Sequence, residues 1–170
     1  FLWLAPSMIE MLLKLDKVKH SSEIVKKVRW IFTATSKLDD QTYDDFKRRY
    51  KKPLLQTYGL SELLFVSSNE NEKKSNNTGT LFKGVQLKIK KNLELSIKSK
   101  FSFIGYWGKK NHKGWFDTGD LAKIDKSRNL VITGRSKDII IRGGVNISPT
   151  TIEETIKKKT KNLNISVVGI

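Results

Sequence analysis

Gly114-Trp-Phe-Asp-Thr-Gly-Asp-Leu121 is followed, fourteen residues after its leucine, by Arg135-Ser-Lys-Asp138, and then by Gly143-Gly-Val-Asn-Ile-Ser-Pro149. Asp120 stands at the start of an apolar stretch, residues 121–124, that reads as a strand. A carboxylate there can accept two hydrogen bonds from a vicinal diol, the way acidic side chains hold ribose. Taken alone, Thr-Gly-Asp reads better as a turn. Arg135 follows Gly134 at the end of the next strand, 130–133. Its fixed fork suits ribose oxygens or a carboxylate, with a surface arginine as the plain alternative. Gly143-Gly144 reads as a turn. Ser148 is placed as the N-cap, and Pro149 as the first residue, of a helix running to about Lys159. Trp115 and Phe116 read as aromatic core anchors.

Outward from this stretch the chain changes rhythm. Residues 6–15 carry a helical apolar stripe behind Pro6, 28–34 read as a buried strand, and Asp39-Asp40 opens a helix through Tyr50. Acids at its start and Lys47-Arg48-Arg49 at its end complement the helix dipole. Pro53 ends it, and 54–58 form another strand. This β-α-β order implies a parallel sheet flanked by helices. Residues 69–77 are polar and read as a loop. Beyond them, 85–90 and 93–98 alternate apolar and polar, and 121–124 pairs with 130–133 across a turn at 125–129, which predicts an antiparallel sheet or barrel. Residues 164–170 read as the beginning of a strand.

Tyr58-Gly-Leu-Ser-Glu62 follows the strand 54–58 directly, and loops at strand C-terminal ends are where ligands bind in open α/β sheets. A tyrosine face can stack on a nucleobase, Gly59 lets backbone approach a ligand, the Ser61 hydroxyl can meet phosphate oxygens, and the Glu62 carboxylate can hold Mg²⁺. An ordinary strand-to-helix turn is the alternative.

Composition narrows the field. The 170 residues carry 38% hydrophobic residues and no cysteine, so a packed core is available while disulfides and thiolate chemistry are excluded. No apolar run approaches the roughly 20 residues that span a bilayer. The net charge of +16 comes from lysines scattered along the chain. It fits solvated faces, and no nucleic-acid partner is expected. His20 and His112 lie in lysine-rich contexts without a second ligand at metal spacing, and read as solvated.

In this order, with Tyr58-Gly-Leu-Ser-Glu62 upstream, the segments resemble the acyl-adenylate-forming ligases, the group that contains acyl-CoA synthetases, peptide-synthetase adenylation domains and luciferases. The resemblance extends from about residue 1 to 170, strongest over 114–152 and weakest over 69–103. It implies an α/β fold with an antiparallel, β-barrel-like portion. Residues 1–136 would be the C-terminal part of the large AMP-binding domain, α/β over 1–84 and antiparallel over 85–136. Residues 137–170 would begin the small α+β lid domain.

The resemblance also implies roles. Tyr58 stacks on adenine, Ser61 (where the family usually has threonine) contacts phosphate, Glu62 binds Mg²⁺, and Asp120 grips the ribose hydroxyls. Arg135 contacts the nucleotide, and Thr57, Gly59 and Ile132 complete the nucleotide set. Lys137 is the hinge between domains, with Asp138 beside it as a possible sharer of that role. Gly143 and Gly144 belong to the loop lining the coenzyme A tunnel, and Gly105-Tyr106-Trp107 matches a structural segment.

The implied substrates are a carboxylic acid, ATP and coenzyme A, with AMP released, in a cytoplasmic enzyme of fatty acid metabolism most like an acyl-CoA synthetase. A peptide-synthetase-type adenylation domain and a degenerate, non-catalytic binder are the alternatives. Two departures stand out: Thr33-Ala-Thr-Ser-Lys37 replaces a glycine-rich loop and would narrow a pocket, and only six residues separate Trp107 from Gly114. The family's phosphate loop is expected upstream of Phe1 and its catalytic lysine downstream of Ile170. No catalytic residue is therefore expected within this stretch, which is expected to be inactive by itself.

Overall fold

The computed structural model describes residues 1–15, 25–34, 38–70, 77–160 and 165–169. Strands β1 (Leu2–Leu4), β2 (Ile31–Thr33) and β3 (Leu55–Leu60) run parallel, as the β-α-β order predicts. Helices α1 (Pro6–Lys14) and α2 (Asp40–Tyr50) pack on one face of them. Strands alternate their side chains between faces, so Leu4 and Ile31 turn toward the helices and join Ile9, Tyr43, Phe46 and Tyr50 in a core. In α2, Tyr43, Phe46 and Tyr50 fall on one helical face, and Asp39 caps the start by accepting from the Thr42 N–H at 2.9 Å. Arg49 donates to the carbonyls of Leu13 and Leu15, both at 2.8 Å. It thereby satisfies acceptors that the end of α1 leaves open.

Four local expectations change here. The apolar run from Val28 is strand only over β2, because Val28 donates to the Val25 carbonyl in a turn and Val25 joins the helical core. Helix α2 ends after Tyr50 as expected, but it is closed by a left-handed Lys51 (φ 55°), whose N–H donates to the Lys47 carbonyl, and not by Pro53. Strand β3 runs on to Leu60 and turns back into β4 (Leu64–Ser68), which pairs with it antiparallel, so Tyr58-Gly-Leu lies inside a hairpin rather than before a helix. Residues 165–169 form no strand. Of the Thr33–Lys37 loop, residues 35–37 lie outside the described residues, as do His20 and most of the polar loop 69–77.

Strand β5 (Thr80–Leu81) completes the first sheet against β4. The second sheet is an antiparallel meander: β6 (Val85–Ile89), β7 (Glu94–Ser99), β8 (Phe116–Ile124) and β9 (Leu130–Arg135). Leu63 and Val66 of the first sheet's hairpin pack against Val85, Leu95, Ile97, Ala122 and Leu130 in a second core. The two sheets are also tied through backbone, since Thr78 donates to the Leu130 carbonyl and Leu130 to that of Gly79, both at 2.8 Å. Gly79 has φ +79°, and a Cβ there would stand 1.9 Å from the Ser68 oxygen, so no larger residue fits this junction.

A 3-10 turn at Ser136–Asp138 leads from β9 into the hairpin β10 (Ile140–Arg142) and β11 (Val145–Ile147) and then helix α3 (Pro149–Lys159). Ser148 occupies the cap position, but its hydroxyl reaches the Thr133 carbonyl of β9 at 3.3 Å instead of capping. Phe116 packs on the second core, whereas Trp115 is half exposed and Trp107 stands fully in solvent at a loop tip; neither tryptophan anchors a core. His112 is half-buried, not solvated. Its ring lies 5.5 Å from those of both Phe103 and Phe116, and its buried Nε2 has no partner among the described residues.

Candidate functional site

A cavity of about 240 Å³ opens where β3 of the first sheet meets β8 and β9 of the second. Thr57, Tyr58 and Gly59 line it from β3, Asp120 from β8, and Ile132 and Arg135 from β9. Thr57 and Arg135, 78 positions apart in sequence, thus line one hollow, since the paired sheets bring the edges of three strands together.

Asp120 is its electrostatic centre. It is only 4% exposed, and it lies directly across from Arg135 in the β8–β9 register. A buried carboxylate needs partners, and it has two. Arg135 Nε stands 3.1 Å from Oδ1, and the Tyr58 hydroxyl donates to Oδ2 at 2.6 Å. Two carboxylate oxygens offer about four lone-pair directions, so acceptor capacity remains for a ligand's hydroxyls. Burial, and then the hydrogen bond to Asp120, pushes the Tyr58 phenol well above its ordinary value. Tyr58 therefore stays a donor across the physiological range. The Arg135 side chain is half exposed, which leaves the rest of its fork open to solvent or ligand.

Two irregularities shape this rim. The β3–β4 register slips between Tyr58 and Gly59, and the β8–β9 register between Leu121 and Ala122. Such bulges re-aim side chains next to sites. Gly59 is needed for packing: a Cβ there would meet the Leu64 oxygen at 2.2 Å, so its close approach is to the neighbouring strand.

Not every candidate from the sequence joins the cavity. Ser61 and Glu62 lie in the β3–β4 turn beyond its lining. Glu62 instead accepts from the Tyr106 hydroxyl at 2.7 Å. Lys137 is exposed in the 3-10 turn, and Gly143 and Gly144 form the β10–β11 turn with φ of +57° and +77°. Conversely, Gln56, Thr78, Asp138 and Thr150 line the cavity without having been singled out as nucleotide ligands. The sequence marks Asp138 only as Lys137's neighbour, and Thr150 arrives through the docking of α3, which leaves no local trace in sequence.

No group of three or more His, Cys, Asp or Glu side chains among the described residues could enclose a metal ion. Mg²⁺, however, is commonly held by one or two carboxylates together with substrate phosphates. Glu62 fits that role: one oxygen is taken by Tyr106, and the other has no donor among the described residues. No helix among them is long and apolar enough to cross a membrane.

This architecture is the fold of adenylate-forming enzymes. An amide bond synthetase from Marinactinospora thermotolerans superposes with a TM-score of 0.82 over 99% of this chain and 38% of its own, at 20% identity. The family model described as AMP-binding enzyme matches residues 1–107, and the chain belongs to that family. VraA of Staphylococcus epidermidis, described as a long chain fatty acid-CoA ligase, is 32% identical over 163 residues, covering 91% of this chain and 34% of VraA. A long-chain-fatty-acid–CoA ligase of Mycobacterium bovis is 35% identical over 121 residues, 66% of this chain and 20% of the relative. The chain therefore spans about a third or less of the length of these relatives.

Proposed function

We propose that the protein is an ATP-dependent carboxylic acid:CoA ligase and that the cavity between the two sheets holds the adenosine part of its nucleotide. The observation that carries this reading is the convergence of Tyr58, Asp120 and Arg135 on one hollow. The ligase relatives and the family's AMP-binding description support the class of reaction.

In this reading Asp120 accepts from the ribose hydroxyls through its unused lone pairs, and Arg135 and Tyr58 hold it in place. Thr57, Gly59 and Ile132 wall the nucleoside, and the Ser61 hydroxyl meets phosphate. The substrate carboxylate attacks the α-phosphorus in line; the P–O bond to pyrophosphate breaks, leaving an acyl-adenylate. The thiol of coenzyme A, losing its proton, then displaces AMP and forms the thioester. Glu62 is the residue that would hold Mg²⁺, which when bound supplies neutralising charge to the phosphate oxygens.

Residues 1–136 form the nucleotide-bearing domain in this account, and 137–170 begin a lid. Lys137 is the hinge about which the lid turns between the half-reactions, with Gly143-Gly144 carried toward the thiol's path. A cytoplasmic location and an acid of fatty acid metabolism go with the reading.

The test is carboxylate-dependent exchange of labelled pyrophosphate into ATP by the complete protein. Asp120→Ala is expected to reduce it at least about 100-fold, the scale on which losing a positioning contact acts. Exchange at the wild-type rate would refute the assignment.

A further inference from the structure

The loop 101–113 is clipped to the turn that carries Glu62. Phe103 donates its N–H to the Glu62 carbonyl at 2.7 Å, and the Tyr106 hydroxyl donates to Glu62 Oε1 at the same distance. The loop is braced from within. Phe103 meets Tyr106 edge-on at 4.9 Å and Phe116 edge-on at 5.7 Å, and His112 donates its N–H to the Ile104 carbonyl at 2.6 Å. At Gly105 a Cβ would press on the Lys110 oxygen at 3.2 Å, so the loop closes tightly beside Tyr106. Tyr106 is therefore an exposed side chain on a rigid mount, aimed at one oxygen of one carboxylate.

We propose that Tyr106 is a positioning residue for the metal carboxylate: by engaging Oε1 of Glu62 it fixes the carboxylate's rotation and directs Oε2 toward a divalent cation that accompanies the nucleotide's phosphates. The inference rests on the reading of Glu62 as the Mg²⁺ ligand. Carboxylates that ligate metals are themselves held by hydrogen bonds, and removing such an outer partner typically costs about 10–100-fold in metal affinity or activity. Freed from Tyr106, Glu62 would sample several rotamers, and the ordering cost would fall on cation binding.

The experiment compares, by calorimetry on the complete protein, the affinity for ATP in excess Mg²⁺ with that in EDTA; their ratio measures the gain due to the metal. Tyr106→Phe keeps the ring against Phe103 and removes only the hydroxyl. It is expected to cut the gain about tenfold and leave the EDTA affinity unchanged. Glu62→Gln is expected to abolish the gain, and the double variant to match Glu62→Gln alone. If Glu62→Gln loses the gain while Tyr106→Phe keeps it, the positioning role is overturned and the Glu62 reading stands. If Glu62→Gln keeps it, the Glu62 reading fails and the proposal falls with it. Equal weakening of both affinities in Tyr106→Phe would mark a merely structural loop contact and also overturn the proposal.

Discussion

Asp120 is a carboxylate buried inside a wall of strands, and its two neighbours divide the work: Arg135 supplies opposite charge from the rim, and Tyr58 supplies a hydrogen bond from within. Removing the inner partner leaves a buried oxygen unsatisfied, which costs about 1–3 kcal/mol. Tyr58→Phe should therefore destabilise the protein by that amount in urea unfolding near neutral pH. The difference has a pH signature. Because the folded phenol is raised above its ordinary 10.0, the wild-type advantage is full below about pH 10. It declines as pH rises further, since the unfolded chain then releases the proton that the folded chain retains. An advantage that grows with alkalinity would contradict this. From the sequence, Tyr58 suggested an aromatic face for a base. Its hydroxyl bond to Asp120, 62 residues away, depends on sheet-to-sheet packing that no local pattern encodes.

Among the elements, the regular ones were legible. Helix α2 announces itself through the acids Asp39-Asp40 at its start and its basic end, and the β6–β7 pair through strict alternation. Two of the differences were decided by contacts outside the segment concerned. β3 extends through the Tyr58-Gly-Leu segment because β4 folds back on it, and Ser148 gives up its cap to bond the end of β9. The 3-10 turn Ser136–Asp138 belongs to this scale as well, being three residues between β9 and β10 with all of its side chains outside the cores. If Lys137 is the hinge, fixing its φ near −65° with proline restricts the lid's turning. Lys137→Pro should keep pyrophosphate exchange within about threefold of wild type while thioester formation falls by roughly 100-fold or more. Equal loss of both half-reactions would reject the hinge.

At the scale of the whole molecule, two sheets of different kinds are joined along the line where the cavity opens. The first has parallel strands with helices on one face, and the second is an antiparallel meander. The joint depends on the Gly79 crossing and on Leu63 and Val66 reaching into the second core. The chain carries a net charge of +16, a balance that favours anionic ligands at long range. The fold class could be read from strand rhythm, and the candidate site from short motifs in a fixed order. That those motifs face one another is a property of the assembled sheets alone. The most direct test of the central claim is photolabelling of the complete protein with 8-azido-ATP, followed by peptide mapping. Labelling confined to residues 56–60 and 130–135, and suppressed by unlabelled AMP, is the predicted result. Labelling elsewhere, with these two strands unmarked, would contradict the claim.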